Sequence, residues 1–275
     1  MSTGVAPSGV ENIGHTVAFM SFPGGERHVR LPDVRAVDAT AWELTAPVYT
    51  PADLMDLFLV VDALRRMIRP GSRLTLNLPY VSYARQDRVA LVGEPLSAKV
   101  FCNLINSLEF DVVRVLDPHS DVVSALLNNV EVFTAADLIK STVFKIGANF
   151  PEAYALVAPD AGARKKVEAV SLALGGVPVV YGGKKRDPKT GALSGFYVEG
   201  QVPTNVPLLV VDDICDGGGT FIALAAVLRK QTTQPLYLYV THGLFTKGVQ
   251  PLLDAGYSKI FCANCNNEAV TPFLS

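Results

Sequence analysis

Short runs of apolar and β-branched residues alternate along the chain with segments in which apolar residues return every three or four positions. The runs at 17–20, 73–78, 112–116, 154–158, 177–181, 208–212 and 235–241 are the candidate strands. Several are apolar throughout, as strands covered on both faces are. Helical patterns occupy 53–69, 94–108, 162–173 and 219–230. In 94–108, Leu96, Val100, Phe101, Leu104, Ile105 and Leu108 fall on one face, a stripe suited to packing on a sheet. Alternation of this kind predicts an α/β fold with two doubly wound, largely parallel sheets. The 275 residues suit two domains, placed at 1–140 and 141–275, with the boundary where a helical pattern runs into GANFPE. The weakest ordering signals are 1–14 and 183–200, both rich in turn-forming residues.

At 49% hydrophobic and 18% charged, the chain can fill sizeable cores, which excludes wholesale disorder. A formal charge of −2 argues against a dedicated nucleic-acid binder. The most apolar stretch, 53–69, carries Asp53, Asp56, Asp62, Arg65 and Arg66, so no membrane association is expected. Met1–Val10 has no basic segment leading into an apolar core, and Cys102, Cys215, Cys262 and Cys265 make no disulfide framework. A reducing, cytoplasmic setting is therefore expected. Cys262 and Cys265 form a lone CxxC without a second ligand pair, which favours incidental thiols over zinc.

The most telling strand exit is PLLVVDDICDGGGT, 207–220. An apolar strand delivers Asp212 and Asp213 to its carboxyl end, followed by Asp216, then Gly217, Gly218 and Gly219, with Thr220 opening a helix. Ligands of open α/β sheets bind beyond such ends. Consecutive backbone N–H groups at the positive end of a helix form an anion cradle suited to phosphate. Carboxylates beside a bound phosphate would repel it unless something intervenes. A ribose ring fits: the carboxylates accept from its hydroxyls while the loop holds its 5′-phosphate. The plainer reading is a strand–turn–helix with capping aspartates. GxxxxGK[ST] and GxGxxG are both absent, so an ordinary P-loop or dinucleotide fingerprint is excluded.

This segment resembles the phosphoribosyl-pyrophosphate (PRPP) motif of type I phosphoribosyltransferases and of ribose-phosphate pyrophosphokinases. The rest of the chain favours the second family: LMDLFLVVDALRRM (54–67), PYVSYARQDR (79–88), GEPLSAKVFCNLI (93–105), VLDPHSD (115–121), VAPDAGARKK (157–166), KxR (184–186) and VTHGLF (240–245) occur in its order. The resemblance implies two domains of phosphoribosyltransferase type and Mg²⁺-dependent transfer of the β,γ-pyrophosphoryl group of ATP to ribose 5-phosphate. It implies that Arg85, Gln86, Asp87 and His119 bind ATP, that His119 and Asp160 serve the metal, and that Asp212, Asp213, Asp216 and the 217–220 loop hold the acceptor. Lys184 and Arg186 would lie on a mobile flap and act on the reacting phosphates, with Lys185 in solvent. Phe22 and Glu26 would grip adenine from a neighbouring copy in a homo-oligomer, so that the ATP site lies near a subunit interface.

For each of these residues a plainer role exists: a solvated turn for Arg85–Asp87, a structural histidine, a charged loop at 184–186. Their occurrence together and in order favours the functional one. Departures from the family pattern are Gly24 where an Asp is usual, Gly217 where a Thr is usual, and the shortened ends. Gly217 removes one hydroxyl and makes room, so a 5′-substituted ribose such as ADP-ribose is an alternative acceptor. A phosphoribosyltransferase would not need the RQD segment, and a non-catalytic regulatory homologue would be expected to lose the cationic flap.

Overall fold

The structure, a computed structural model, describes residues 3–7, 15–33, 39–145, 150–186 and 193–265. The chain divides into two compact units, 1–133 and 134–275. In the first, chain order runs β1 (Gly4–Pro7), β2 (His15–Thr16), β3 (Ala18–Ser21), β4 (Arg27–Arg30), β5 (Ala41–Thr45), α1 (Pro51–Arg65), β6 (Arg73–Leu78), α2 (Ser97–Asn106), β7 (Val112–Leu116), α3 (Asp121–Leu126) and β8 (Val130–Phe133). The sheet order is β2-β1-β5-β6-β7-β8, with β5 through β8 parallel and β1 antiparallel to both its neighbours. Leu74, Leu76 and Leu78 of β6 and Val113 and Val115 of β7 pack with Leu57, Val60 and Leu64 of α1 and with Phe101 and Ile105 of α2.

Helix α1 starts earlier than its apolar pattern because a capping box closes its first turn. Thr50 Oγ1 accepts from Asp53 N at 3.2 Å and Asp53 Oδ2 accepts from Thr50 N at 2.8 Å, with Pro51 following. The buried face of α2 differs from the expected stripe: Ala98, Phe101, Cys102 and Ile105 are inside, while Val100 and Leu104 are exposed. The small Ala98 and Cys102 let the helix turn that edge toward the sheet. The run at 17–20 supplies strand β3, but in a separate two-stranded sheet. β3 pairs only with β4, and its four residues are exposed. Val17, just before it, is buried. This hairpin is tied to α1 by Arg27, whose Nε donates to Oδ1 of the buried Asp56 at 2.8 Å.

The second unit contains α4 (Ala135–Ile139), a π-helical turn (Lys140–Lys145), β9 (Ala155–Ala158), a 3-10 turn (Ala161–Ala163), α5 (Arg164–Ala173), β10 (Val179–Arg186), β11 (Leu193–Glu199), β12 (Leu208–Cys215), α6 (Gly219–Leu228), β13 (Leu236–Gly243), α7 (Gln250–Asp254) and β14 (Tyr257–Cys265). The sheet order is β11-β10-β9-β12-β13-β14, parallel except for the edge strand β11. Its centre is apolar throughout for the expected reason: Leu208 and Val210 enter one core with Leu224 and Leu238, while Leu209 and Val211 enter the other with Val167 and Tyr239. The division at Phe133/Thr134 precedes the expected 140/141, because α4 sends Ala135 and Ile139 into the core of the second unit.

Within the segment 183–200, where composition suggests a loop, residues 183–186 and 193–199 are strand. Lys184 and Lys185 lie on β10, paired antiparallel with Phe196 and Gly195 of β11. A Cβ on Gly183 would stand 2.3 Å from Cζ of Tyr197, so only glycine lets that ring cross the strand. Residues 187–192 and the side chain of Arg186 lie outside the described residues. No helix among the described residues is long and apolar enough to cross a membrane.

Candidate active site at the carboxyl edge of the second sheet

Strand β12 carries Asp212 and Asp213 to the carboxyl edge on opposite faces. Asp213 is buried and Asp212 half-buried. The backbone fixes both carboxylates: Asp213 N donates to Asp212 Oδ1, and Ile214 N to Asp213 Oδ1, each at 2.9 Å. Burial pushes the Asp212 carboxyl well above its ordinary value, and the charges of Asp213 and Asp160 push it the same way.

Asp160 follows the neighbouring strand β9. Its Oδ1 accepts from Gly162 N at 3.0 Å, capping the 3-10 turn, and its Oδ2 lies 2.6 Å from Lys184 Nζ. Strand β10 passes close to the β9 exit just before this lysine: a Cβ on Gly182 would be 2.7 Å from the Pro159 carbonyl. Lys166, from the first turns of α5, places Nζ 3.6 Å from Asp213 Oδ2. Three carboxylates thus meet two ammonium groups along one sheet edge. Lys166 lay within a motif but had no role in the sequence reading. A pair of buried aspartates demanding a counter-charge was the signal that could have found it.

The turn after β12 is built as expected for an anion site. Gly218 adopts φ +76°, and no side chain caps the helix α6 that it opens. The first N–H groups of such a helix lack intrahelical partners and face a ligand. Cys215 is buried, and burial raises its thiol to about 12, which suits a small filler and not a nucleophile. A second loop, 244–247, is stitched to this turn. Leu244 N and Phe245 N both donate to the Cys215 carbonyl, at 2.9 and 3.1 Å, and Thr246 N donates to the Asp216 carbonyl at 3.1 Å. Thr246 Oγ1 also donates to Asp216 Oδ1 at 2.9 Å. Lys247 leans its stem over the turn, with Cε 3.5 Å from where a Cβ of Gly217 would lie. Lys247 was missed, being 30 residues downstream of Gly217 in sequence.

In the first unit, β6 and β7 are parallel neighbours, with Leu78 opposite Val115. The loops carrying Arg85, Gln86 and Asp87 and carrying His119 therefore leave the same sheet edge. Arg85, Gln86 and His119 are exposed and Asp87 half-buried. The first loop is held at both ends: Gln86 N donates to the Tyr83 carbonyl at 2.9 Å, and the Gln86 carbonyl accepts from Ala98 N of α2 at 3.2 Å. Phe22 and Glu26 sit in a different sheet, on the β3–β4 turn, where Phe22 N donates to the Glu26 carbonyl at 2.9 Å. Phe22 remains 46% exposed, and Gly24 at the tip has open space around it.

The residues at the second sheet's edge suit Mg²⁺ chemically: carboxylate oxygens are hard donors, and this ion is usually held by one or two of them plus substrate phosphates. Asp160 Oδ2 already attracts a cation, the Lys184 ammonium.

The family model for the N-terminal domain of ribose phosphate pyrophosphokinase matches residues 15–108. The ribose-phosphate pyrophosphokinase of Haemophilus ducreyi is 31% identical over 230 residues, 82% of this chain and 70% of that protein. That of Mycoplasma pneumoniae is 33% identical over 229 residues, 82% of this chain and 66% of its own length, so the chain spans about two thirds of that relative. The crystal structure of phosphoribosylpyrophosphate synthetase from Mycobacterium smegmatis superposes with a TM-score of 0.77 at 27% identity, covering 95% of this chain and 85% of that one.

Proposed function

This chain belongs to the ribose-phosphate pyrophosphokinase family, and we propose that it transfers the β,γ-pyrophosphoryl group of ATP to the anomeric hydroxyl of ribose 5-phosphate, giving PRPP and AMP. The anomeric oxygen bonds to the β-phosphorus, the bond from that phosphorus to the α,β-bridging oxygen breaks, AMP leaves, and the hydroxyl proton passes to solvent. The observation that carries this reading is the meeting of Asp160, Asp212 and Asp213 with Lys166 and Lys184 beside an uncapped helix N-terminus. Asp212 and Asp213 accept from the ribose hydroxyls, and the 216–220 turn donates to the 5′-phosphate. Lys184, with Arg186, stabilises the charge that builds on the β-phosphoryl group once the ammonium leaves Asp160 for phosphate. No side chain stands out as a general base, so catalysis rests on positioning and electrostatics.

Arg85, Gln86, Asp87 and His119 hold ATP in this reading, Arg85 as a guanidinium fork on phosphate oxygens. Phe22 and Glu26 hold adenine, offered by a neighbouring copy in a homo-oligomer, a role that the exposure of Phe22 allows. Asp160 in the second unit and His119 in the first would each offer a ligand to Mg²⁺, which would neutralise phosphate charge. The test is phosphorus NMR of the protein with ATP, Mg²⁺ and ribose 5-phosphate. AMP and an anomeric pyrophosphate are expected; ADP, or no turnover, would refute the assignment.

A second reading, the same transfer to a 5′-substituted ribose such as ADP-ribose, is favoured by Gly217. A Cβ there would meet only Lys247 and Thr246 side-chain atoms, at 3.5 to 3.7 Å, so nothing in the fold obliges glycine. The Lys247 stem lies in that direction, and what the glycine removes from the turn is the hydroxyl that a Thr would offer a terminal phosphate. Competition between the two acceptors at limiting ATP, repeated with Gly217→Thr, distinguishes them.

A further inference from the structure

We propose that Lys247 reads what is attached to the acceptor's 5′-phosphate, and that it serves a ribose whose phosphate is extended by a second phosphate. The inference rests on the second reading above, transfer to a 5′-substituted ribose, and deepens it.

The cradle itself is poor in hydroxyls. Among residues 217–220 only Thr220 brings a hydroxyl, Gly217, Gly218 and Gly219 bring none, and the Thr246 hydroxyl is already directed at Asp216. A terminal phosphate presents three unesterified oxygens and two charges, whereas a phosphate bonded onward to another presents two such oxygens and one charge. With few hydroxyls to add to its backbone N–H groups, the cradle leaves more of the first unsatisfied than of the second.

Lys247 supplies a cation at the rim of the cradle. Its Cδ and Cε lie 3.6 and 3.5 Å from the Cβ position of Gly217, filling the hollow that the glycine creates, and the residue is exposed. The stem therefore lies over the turn on an exposed residue. Its backbone is held on both sides: Phe245 is buried and bonded to Cys215, and Gly248 N donates to the Phe245 carbonyl at 2.8 Å. Among the described residues Lys247 enters no ion pair, whereas Lys166 and Lys184 do. A cation carried by an anchored turn at the rim of an anion cradle is suited to an anion supplied from outside.

The experiment compares the wild type, Lys247→Ala and Lys247→Arg for KM and kcat with ribose 5-phosphate and with ADP-ribose, the latter as the pyrophosphate-linked probe. Losing a charge-assisted hydrogen bond should raise KM for ADP-ribose about tenfold or more. The rise for ribose 5-phosphate should be below about threefold, and Lys247→Arg should keep the wild-type ratio. Equal losses on both acceptors, no loss on either, or a wild type that consumes ribose 5-phosphate alone would overturn the inference. A wild type that transfers to neither acceptor would instead remove the functional reading beneath it.

Discussion

The ammonium of Lys184 lies 2.6 Å from Oδ2 of Asp160, which joins two residues that the sequence assigned to separate tasks, flap cation and metal-linked carboxylate. The pair is partly shielded, with side chains 27% and 25% exposed. Removing the lysine would leave Asp160 facing Asp212 without a counter-charge.

Lys184→Ala is accordingly expected to lower kcat by about 10²-fold, the scale of a lost transition-state electrostatic contact. Lys185→Ala is the control, since its exposed ammonium lies over the Tyr197 ring at 5.9 Å from the centroid, away from the carboxylates. Steady-state kinetics of the two variants decide the matter; similar rates in both would take Lys184 out of the chemistry.

Lys166 and Asp213 are both largely buried, at 19% and 8% side-chain exposure. Lys166→Met strands the carboxylate and should destabilise the fold by about 2–4 kcal/mol, most of it recovered in Lys166→Met/Asp213→Asn. Urea unfolding of the four proteins of the cycle gives the coupling. Additive effects would mean that the two groups do not interact.

The raised Asp212 carboxyl makes stability depend on pH. Between its ordinary value of 3.8 and its raised folded value, the folded chain keeps a proton that the unfolded chain has released. Its stabilising contribution is therefore present at acid pH and lost as pH rises through that window. Asp212→Asn in metal-free buffer should raise Tm relative to wild type at about pH 8, with the gain shrinking toward about pH 4. A gain that does not change with pH would contradict the assignment.

Gly183→Ala drives a methyl into Tyr197 and should cost about 1–3 kcal/mol. Tyr197→Ala in the same chain should relieve most of that cost. Thermal unfolding reads both, and an unperturbed Gly183→Ala would show that β10 and β11 do not cross there as described.

The parts of the structure legible in the sequence are those whose signals are local. β6 and β7 match their apolar runs residue for residue, and the carboxylates of 212–216 stand directly before the glycines that mark the turn. β5 was missed because a charge interrupts it. Glu43 sits mid-strand between buried Trp42 and Leu44, answered by Arg114 at 3.0 Å from two strands away. β14 was missed because Ser258 and Lys259 break its apolar character on the exposed side. The cations show the same limit: Lys166 and Lys247 meet the site through tertiary packing, and no spacing in the chain announces it.

The Cys215 carbonyl, accepting from both Leu244 and Phe245, has one more consequence. The turn that would receive a phosphate and the loop that carries Lys247 share an anchor, so thermal displacement moves them together. Their donors need not be gathered from a fluctuating ensemble when an anion arrives. The loss of conformational entropy has been incurred in folding, and association proceeds against a rim already in its bound shape.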